Sequence, residues 1–167
     1  EPMRVLHLFT MTGGMDYDVT APAIVEAAAQ PGANTVNICS AMAATPLHFE
    51  PGTRYRYSLC HDVLAAVIEV VTGMKFSDYL RELMFEPLGM HETGFRPTEA
   101  QLPRFAQPFE YNNADGSVKP IPVRNQFILS PDYDCGGAGI FTCVDDYMKV
   151  ITTLACGGTA ADGYTLL

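Results

Sequence analysis

The sequence has few basic residues. Ten lysines and arginines stand against nineteen acidic residues, which gives a net charge of −9 at pH 7. Binding to nucleic acid depends on cations that neutralise phosphates, and an anionic membrane surface repels an acidic protein. The composition therefore argues against a nucleic-acid partner. With 167 residues, 48% of them hydrophobic, the chain is long enough for one domain with its own core.

Long hydrophobic runs are also missing. No uninterrupted apolar run of about 18 residues occurs, so no membrane span is expected. The first residues (EPMRVLHLFTMTGG) have no initiator methionine, no basic leader and no small-residue cleavage site, so they do not resemble a signal peptide. We expect the chain to be a piece of something longer.

Cysteine pairs with metal-ligand spacing are absent. The five cysteines are widely separated, without any Cys-x-x-Cys pair: Cys39, Cys60, Cys135, Cys143 and Cys156. The spacing predicts neither a zinc site nor a thioredoxin-like redox motif, and we expect no metal and no cofactor. Free structural thiols are typical of a reducing compartment, which favours a cytoplasmic protein.

Several catalytic motifs are missing as well. None of the five serines is flanked as in Gly-x-Ser-x-Gly, no serine lies three residues before a lysine, and Lys-Thr-Gly does not occur. Phosphate-binding glycine loops and histidine pairs four residues apart are also absent. The motifs alone therefore give no complete catalytic site.

The hydrophobic pattern predicts five or six helices. The strongest lies within residues 60–73 (CHDVLAAVIEVVTG), with one apolar face and a glycine at its end. Thr20, Asn34 and Ser58 are predicted to cap helices, because each precedes an apolar run. The other predicted helices are at residues 4–11, which we expect to be largely buried, 21–30, 35–44 and 76–85, and one that ends at Gly157-Gly158.

Residues 95–134 are different, being rich in proline and loop-like. Within them, FEYNNADGSVKPIPV predicts two short strands around an Asp115-Gly116 turn. Because repeats and long linkers are absent, residues 1–167 are interpreted as a single domain in which residues 95–134 form a loop and hairpin flap.

The stretch from Pro46 to Phe95 carries the most specific signal. It contains a PLHFEPG loop, a Tyr57-Ser58 pair before a helix, an EVVTG helix end and a PLGMHETGF turn. LHLFTMTGGMDY precedes these segments and DCGGAGIFTCVDDYMKV follows them. In this order they resemble the serine β-lactamase and penicillin-binding-protein superfamily, in particular its class C-like and esterase branch.

The resemblance implies a fold and an activity. The implied fold is mainly α: a partial domain, the helical lobe with a small β-hairpin of the α/β β-lactamase/transpeptidase-like fold. The implied activity is a serine hydrolase that forms an acyl-enzyme on a small ester, an amide or a peptidoglycan-like peptide. Its Ser-x-x-Lys motif and its C-terminal Lys-Thr-Gly or His-x-Gly strand have no counterpart here. We therefore expect a catalytically silent fragment; the alternative is a binding module of the same family that has lost catalysis.

The resemblance carries one catalytic residue over. Tyr57 lies in the position of the family's tyrosine and would be the general base of the parent enzyme. Leu59 occupies the position of the family's asparagine and cannot hydrogen-bond a substrate amide, so the esterase-like members match better. Ser58, Gly136 and Gly137 are weaker candidates for substrate binding. A helix cap also explains Ser58, and a turn with positive φ also explains the two glycines.

The resemblance has a consequence for assembly. If the lobe packs against a sheet domain that is missing, an apolar face is left uncovered, and such faces tend to be buried by self-association. We expect a dimer or a larger assembly.

Overall fold

The computed structural model describes residues 2–167, which form six α-helices and one β-hairpin. Within this range no helix is both long and apolar enough to span a bilayer. In chain order the elements are α1 (Val5–Phe9), α2 (Pro22–Ala28), α3 (Thr35–Met42), α4 (Cys60–Thr72), α5 (Phe76–Leu80, continued by a π-helical turn at Arg81–Phe85), a 3-10 turn (Leu102–Arg104), β1 (Phe109–Tyr111), β2 (Val118–Pro120) and α6 (Val144–Ala155).

Helix α4 is the central element of the lobe. It contacts α1, α3 and α5. Leu64 and Ala66 of α4 pack into one hydrophobic core, whereas Ala65 belongs to a second core. Gly73 ends the helix in the left-handed conformation with φ of 70°, which confirms the predicted stop.

The two cores are built from different parts of the chain. The first joins α1 to α4 through buried side chains such as Leu8, Ile24, Ile38 and Met42. The second lies beneath the Pro87-Leu88-Gly89-Met90 turn and joins it to α5, where the rings of Phe76 and Phe95 meet edge to face at 5.6 Å. The position of α4 is thus fixed by packing on both sides.

One of the three predicted helix caps is confirmed. The side chain of Asn34 accepts a hydrogen bond from the Asn37 N–H at 3.0 Å at the start of α3. The predicted caps Thr20 and Ser58 are wrong, because Ala21 and Leu59 take those positions without a side-chain cap. The Thr20 hydroxyl donates to Asp18 instead.

The prediction that the first helix is largely buried is wrong. Only His7 and Leu8 of α1 are buried, whereas Val5, Leu6 and Phe9 are 50%, 59% and 65% exposed. Helix α6 also exposes large apolar side chains, among them Val144, Tyr147, Met148 and Leu154. The sequence predicts an apolar face that this chain leaves uncovered. Self-association through the exposed side chains of α1 and α6 stays a prediction.

The predicted hairpin is confirmed. Strands β1 and β2 pair antiparallel with Glu110 opposite Lys119, and Gly116 in the connecting turn has a φ of 73°. All six strand residues are exposed. An ion pair between Arg96 Nη1 and Asp134 Oδ1 at 2.7 Å joins the two ends of residues 95–134. That this segment acts as a flap stays a prediction.

Candidate active site around Tyr57

Tyr57 lies at the end of the loop that precedes α4. Two backbone hydrogen bonds hold this loop against an earlier segment: Arg56 N–H donates to the Met11 carbonyl, and Leu59 N–H donates to the Asp16 carbonyl, each at 3.0 Å. The Tyr57 side chain is 55% exposed. The residue predicted as general base is therefore accessible from solvent.

A second tyrosine packs against Tyr57. The rings of Tyr17 and Tyr57 have centroids 5.0 Å apart, and Phe127 lies on Tyr17 at 5.8 Å. Burial raises the pKa of Tyr17, and the neighbouring Tyr57 raises it further. We call these three side chains, Tyr17, Tyr57 and Phe127, the aromatic row.

The Ser58 side chain is buried, whereas that of Tyr57 is exposed. Ser58 is 2% exposed, and its hydroxyl donates to Cys60 Sγ at 3.1 Å, with Met11 Sδ at 3.8 Å. The side chain thus bonds inside the core rather than capping α4, which corrects the capping interpretation. A role of Ser58 in substrate binding stays a prediction.

Gly136 and Gly137 lie against the first turn of α4. A Cβ atom on Gly136 would meet the His61 carbonyl oxygen at 2.1 Å, and one on Gly137 would meet Asp62 Oδ2 at 3.2 Å. Neither glycine has a positive φ, so the interpretation as a left-handed turn is wrong. Close backbone approach to α4 explains Gly136. A substrate role for either glycine stays a prediction.

Asp62 is a buried carboxylate next to this site that sequence reasoning missed. It is 3% exposed and accepts a hydrogen bond from the Tyr133 hydroxyl at 2.7 Å. Burial, with Asp62 adding to it, raises the pKa of the Tyr133 hydroxyl and raises that of the Cys135 thiol to about 12. It lies in the first turn of α4, where an acidic residue is common, so nothing in the sequence marked it as buried.

Tyr57, Ser58 and Gly137 line one small pocket of about 10 Å³ with Tyr17, His61 and Phe127. Gly136 does not line this pocket and packs against His61 and Ala65 of α4. A larger cavity of about 550 Å³ lies elsewhere, between the Gly89 turn and α6, and none of the predicted site residues lines it. The structure therefore brings Tyr57, Ser58 and Gly137 together around a space too small to hold a substrate.

The five cysteines are free, as the sequence predicted. Among residues 2–167, no group of three or more His, Cys, Asp or Glu side chains is arranged to hold a metal ion. Cys39 is buried, its thiol donates to the Asp62 carbonyl at 3.3 Å, and burial raises its pKa. This thiol is therefore a structural group.

Asp16 ties the two segments of the site together. Its carboxylate accepts hydrogen bonds from the Tyr17 N–H at 2.8 Å and from Arg56 Nη2 at 3.1 Å, and it pairs with His48 Nε2 at 3.0 Å. The hydrogen bond from His48, then those from Tyr17 and Arg56, lower the pKa of Asp16 from 3.8 to about 2. Asp16 thus holds both the backbone of Tyr17 and the side chain of Arg56, the residue before Tyr57.

This lowered pKa predicts a pH-dependent stability. A carboxyl whose folded pKa is depressed stabilises the fold above its unfolded pKa of about 4 and loses that contribution as pH falls towards 2. We expect Asp16→Asn to be less stable than the wild type near pH 5, with the difference shrinking between pH 4 and pH 2. Urea unfolding of both proteins across this pH range measures the difference in the free energy of unfolding. A difference that stays constant from pH 5 to pH 2 would contradict the lowered pKa of Asp16.

Comparison with known proteins identifies relatives of this chain. A family model described as Beta-lactamase matches residues 1–165. Esterase EstB of Burkholderia gladioli is 31% identical over 132 residues, covering 68% of this chain and 32% of its own length. Monacolin J acid methylbutanoyltransferase of Aspergillus terreus is 30% identical over 154 residues, covering 89% of this chain and 37% of its own length.

A solved structure shows the same fold. EstCE1, described as a hydrolase with promiscuous acyltransferase activity, superposes with a TM-score of 0.74 at 26% identity, over 93% of this chain and 46% of its own. The chain spans about a third of the length of the curated relatives named above. The matches confirm the family expected from the sequence and are consistent with a helical lobe of the β-lactamase/transpeptidase fold.

Proposed function

This chain belongs to the beta-lactamase family, and on that premise we propose that it is part of a serine hydrolase that works through a serine acyl-enzyme. The observation that carries the proposal is the accessible phenol of Tyr57, at the family's tyrosine position on the loop before α4. In this proposal Tyr57 takes the proton of the nucleophilic serine and returns it to the leaving group.

A phenol needs a cationic neighbour to act as a base near neutral pH, because its usual pKa is about 10. The lysines of this chain are engaged elsewhere: Lys75 pairs with Asp132, Lys149 pairs with Asp146, and Lys119 lies on β2. The guanidinium of Arg56 is bonded to Asp16. We therefore propose that the ammonium group comes from a Ser-x-x-Lys motif outside these residues, and that this chain alone is inactive.

The environment of Leu59 supports an ester as substrate. Leu59 stands at the family's asparagine position, and its side chain is 4% exposed within the first core. A buried leucine offers no hydrogen bond to the amide of a β-lactam or a peptide. A small ester, cleaved by water or transferred to an alcohol, needs no such contact, whereas amide and peptidoglycan-like substrates would need it from another residue.

Covalent labelling with a fluorophosphonate tests the proposal. We expect no added mass on this chain by intact mass spectrometry, and one adduct per molecule on a longer protein that includes an upstream Ser-x-x-Lys serine. In the longer protein Tyr57→Phe should slow labelling, whereas Tyr55→Phe, a change at an exposed tyrosine two residues away, should not.

Two other outcomes of the labelling experiment would contradict parts of the proposal. An adduct on one of the five serines of this chain would contradict the proposed inactivity. A longer protein that folds but takes no label would contradict the hydrolase and favour the alternative, a binding module of this family without catalysis.

A further inference from the structure

Helix α6 buries polar residues and exposes apolar ones. Its two buried side chains are Asp146 and Thr153, which are 4% and 3% exposed. Its large apolar side chains are between 40% and 77% exposed: Val144, Tyr147, Met148, Ile151 and Leu154. In an ordinary surface helix the apolar side chains face the core instead. We call these five exposed side chains the apolar stripe.

The apolar stripe occupies one face of α6. Its members follow one another at intervals of one, three or three residues after the first interval of three, so all five lie on the same side of a helix with 3.6 residues per turn. The opposite side is fixed to the fold, because Asp146 accepts a hydrogen bond from the Glu92 N–H at 2.8 Å and pairs with Lys149 at 2.9 Å. The helix therefore cannot turn the stripe inward without breaking these bonds.

From this geometry we infer that the apolar stripe is a dimer interface, on which a second copy of this chain packs its own α6 in the antiparallel direction. The stripe contains no charged side chain, so two chains of net charge −9 can meet there without placing like charges in contact. The antiparallel direction places the positive end of each helix dipole beside the negative end of the other. The inference does not depend on the proposed function.

The exposed area of the stripe sets the strength of the dimer. Five large side chains, each roughly half exposed, offer about 500 Å² of apolar surface on each copy. The pair would bury about 1,000 Å² in total, which lies at the lower limit for a specific interface. We therefore expect a Kd of about 10–100 µM. Helix α1 also exposes Leu6 and Phe9, but with five residues it offers less area.

Two cysteines at the ends of α6 report the direction of the pairing. Cys143 directly precedes the helix and Cys156 directly follows it, whereas the other three cysteines are buried. The twelve residues of α6 between them span about 18 Å. In an antiparallel pair, Cys143 of one copy and Cys156 of the other lie at the same end. In a parallel pair, each of these cysteines lies beside its own counterpart.

Cross-linking with bismaleimidohexane, whose spacer is shorter than α6, tests the inference on the 167-residue chain. Cys143→Ser and Cys156→Ser each leave one of the two cysteines in place. At about 200 µM protein, above the expected Kd, an equal mixture of the two variants should give a cross-linked dimer, and either variant alone should give little. Mass spectrometry of the denatured protein identifies the dimer and the linked cysteines.

A charge in the middle of the stripe should break the dimer. Because burying a carboxylate against apolar side chains is costly, Ile151→Glu should raise the Kd by about tenfold or more in sedimentation velocity. The side chain is 40% exposed, so the fold of one copy should tolerate the change. Val71→Glu makes the same kind of change at a valine of α4 that is 78% exposed, and it should leave the Kd unchanged.

Four results would overturn the inference. A chain that stays monomeric at about 200 µM has no such interface. Cross-linking of either cysteine variant by itself, at the yield of the mixture, would contradict the antiparallel direction. Equal weakening by Val71→Glu would place the contact elsewhere. A longer protein with the upstream Ser-x-x-Lys motif in which Cys156 resists maleimide and no dimer forms would assign the stripe to the rest of the parent protein.

Discussion

Gly136→Ala should destabilise the lobe by about 3 kcal/mol or more, or prevent it from folding. The added Cβ would lie 2.1 Å from the His61 carbonyl oxygen and 3.0 Å from Ala65 Cβ. The first of these atoms belongs to the backbone of α4 and cannot rotate away. Either the helix or the loop at residues 135–139 must therefore move, and the loss of packing extends to the core on both sides of α4.

A matched alanine substitution separates this clash from the general effect of replacing glycine. At Gly94 the added Cβ would meet only ring carbons of Phe141, at 3.4 Å, and the residue does not have a positive φ. Its backbone hydrogen bonds to Phe141 do not involve a side chain. Gly94→Ala should stay close to the wild type in thermal and urea unfolding, and similar losses for the two variants would contradict the packing account.

The elements of the fold could be predicted from local patterns. The apolar periodicity of α4, the Gly73 stop and the Asp115-Gly116 turn each depend on residues near one another in the sequence, and each is confirmed. Tyr57 was found through its resemblance to a family motif, not from local chemistry, because a lone tyrosine carries no signal of its own. Whether it acts as a base stays a prediction.

The surroundings of Tyr57 could not be predicted, because they depend on contacts between distant residues. Tyr17 lies against Tyr57 because the loop before α4 hydrogen-bonds to residues 11–16, and Phe127 contacts Tyr17 from a third segment. No spacing rule connects these segments. The burial of Asp62 likewise depends on Tyr133, 71 positions further along. The sequence pattern of a helix predicts which of its faces is apolar. It does not predict which distant residues pack against that face.

Two of the three predicted helix caps are wrong for a local reason, which the cap preferences of the residue types do not include. Asn34, Thr20 and Ser58 are all favourable cap residues, yet only the first has its side chain free to meet the helix N–H groups. Thr20 bonds to Asp18 in a tight turn, and Ser58 is drawn into the sulfur-lined core. Competing hydrogen bonds and burial therefore decide whether a suitable side chain acts as a cap.

Asp134→Asn is the second substitution with a large expected effect, a loss of about 3 kcal/mol in the free energy of unfolding. The Asp134 side chain is fully buried; one oxygen accepts from Arg96 Nη1 and the other accepts from the Ser77 N–H, each at 2.7 Å. An asparagine replaces one of these acceptors by an N–H₂ group. In either orientation of the amide, a donor then faces a donor inside the protein, and the charge that balances Arg96 is lost.

An exposed aspartate two residues away provides the control. Asp132 pairs with Lys75 at 2.5 Å, but both side chains are 52% exposed, so water screens the pair. Asp132→Asn should shift the urea midpoint far less than Asp134→Asn. Both substitutions remove one carboxylate charge, so the difference between them reports the burial of Asp134 and its second hydrogen bond from Ser77.

A double-mutant cycle shows whether the loss comes from the ion pair itself. Arg96→Leu leaves the Asp134 carboxylate buried without its cation, and it should also destabilise the fold. Because the two side chains contact each other directly, their effects should not add. The free energy of unfolding of the double variant should fall by less than the sum of the two single losses. Additive losses would show that the two residues act independently, and the ion pair would then not be what holds the ends of this segment together.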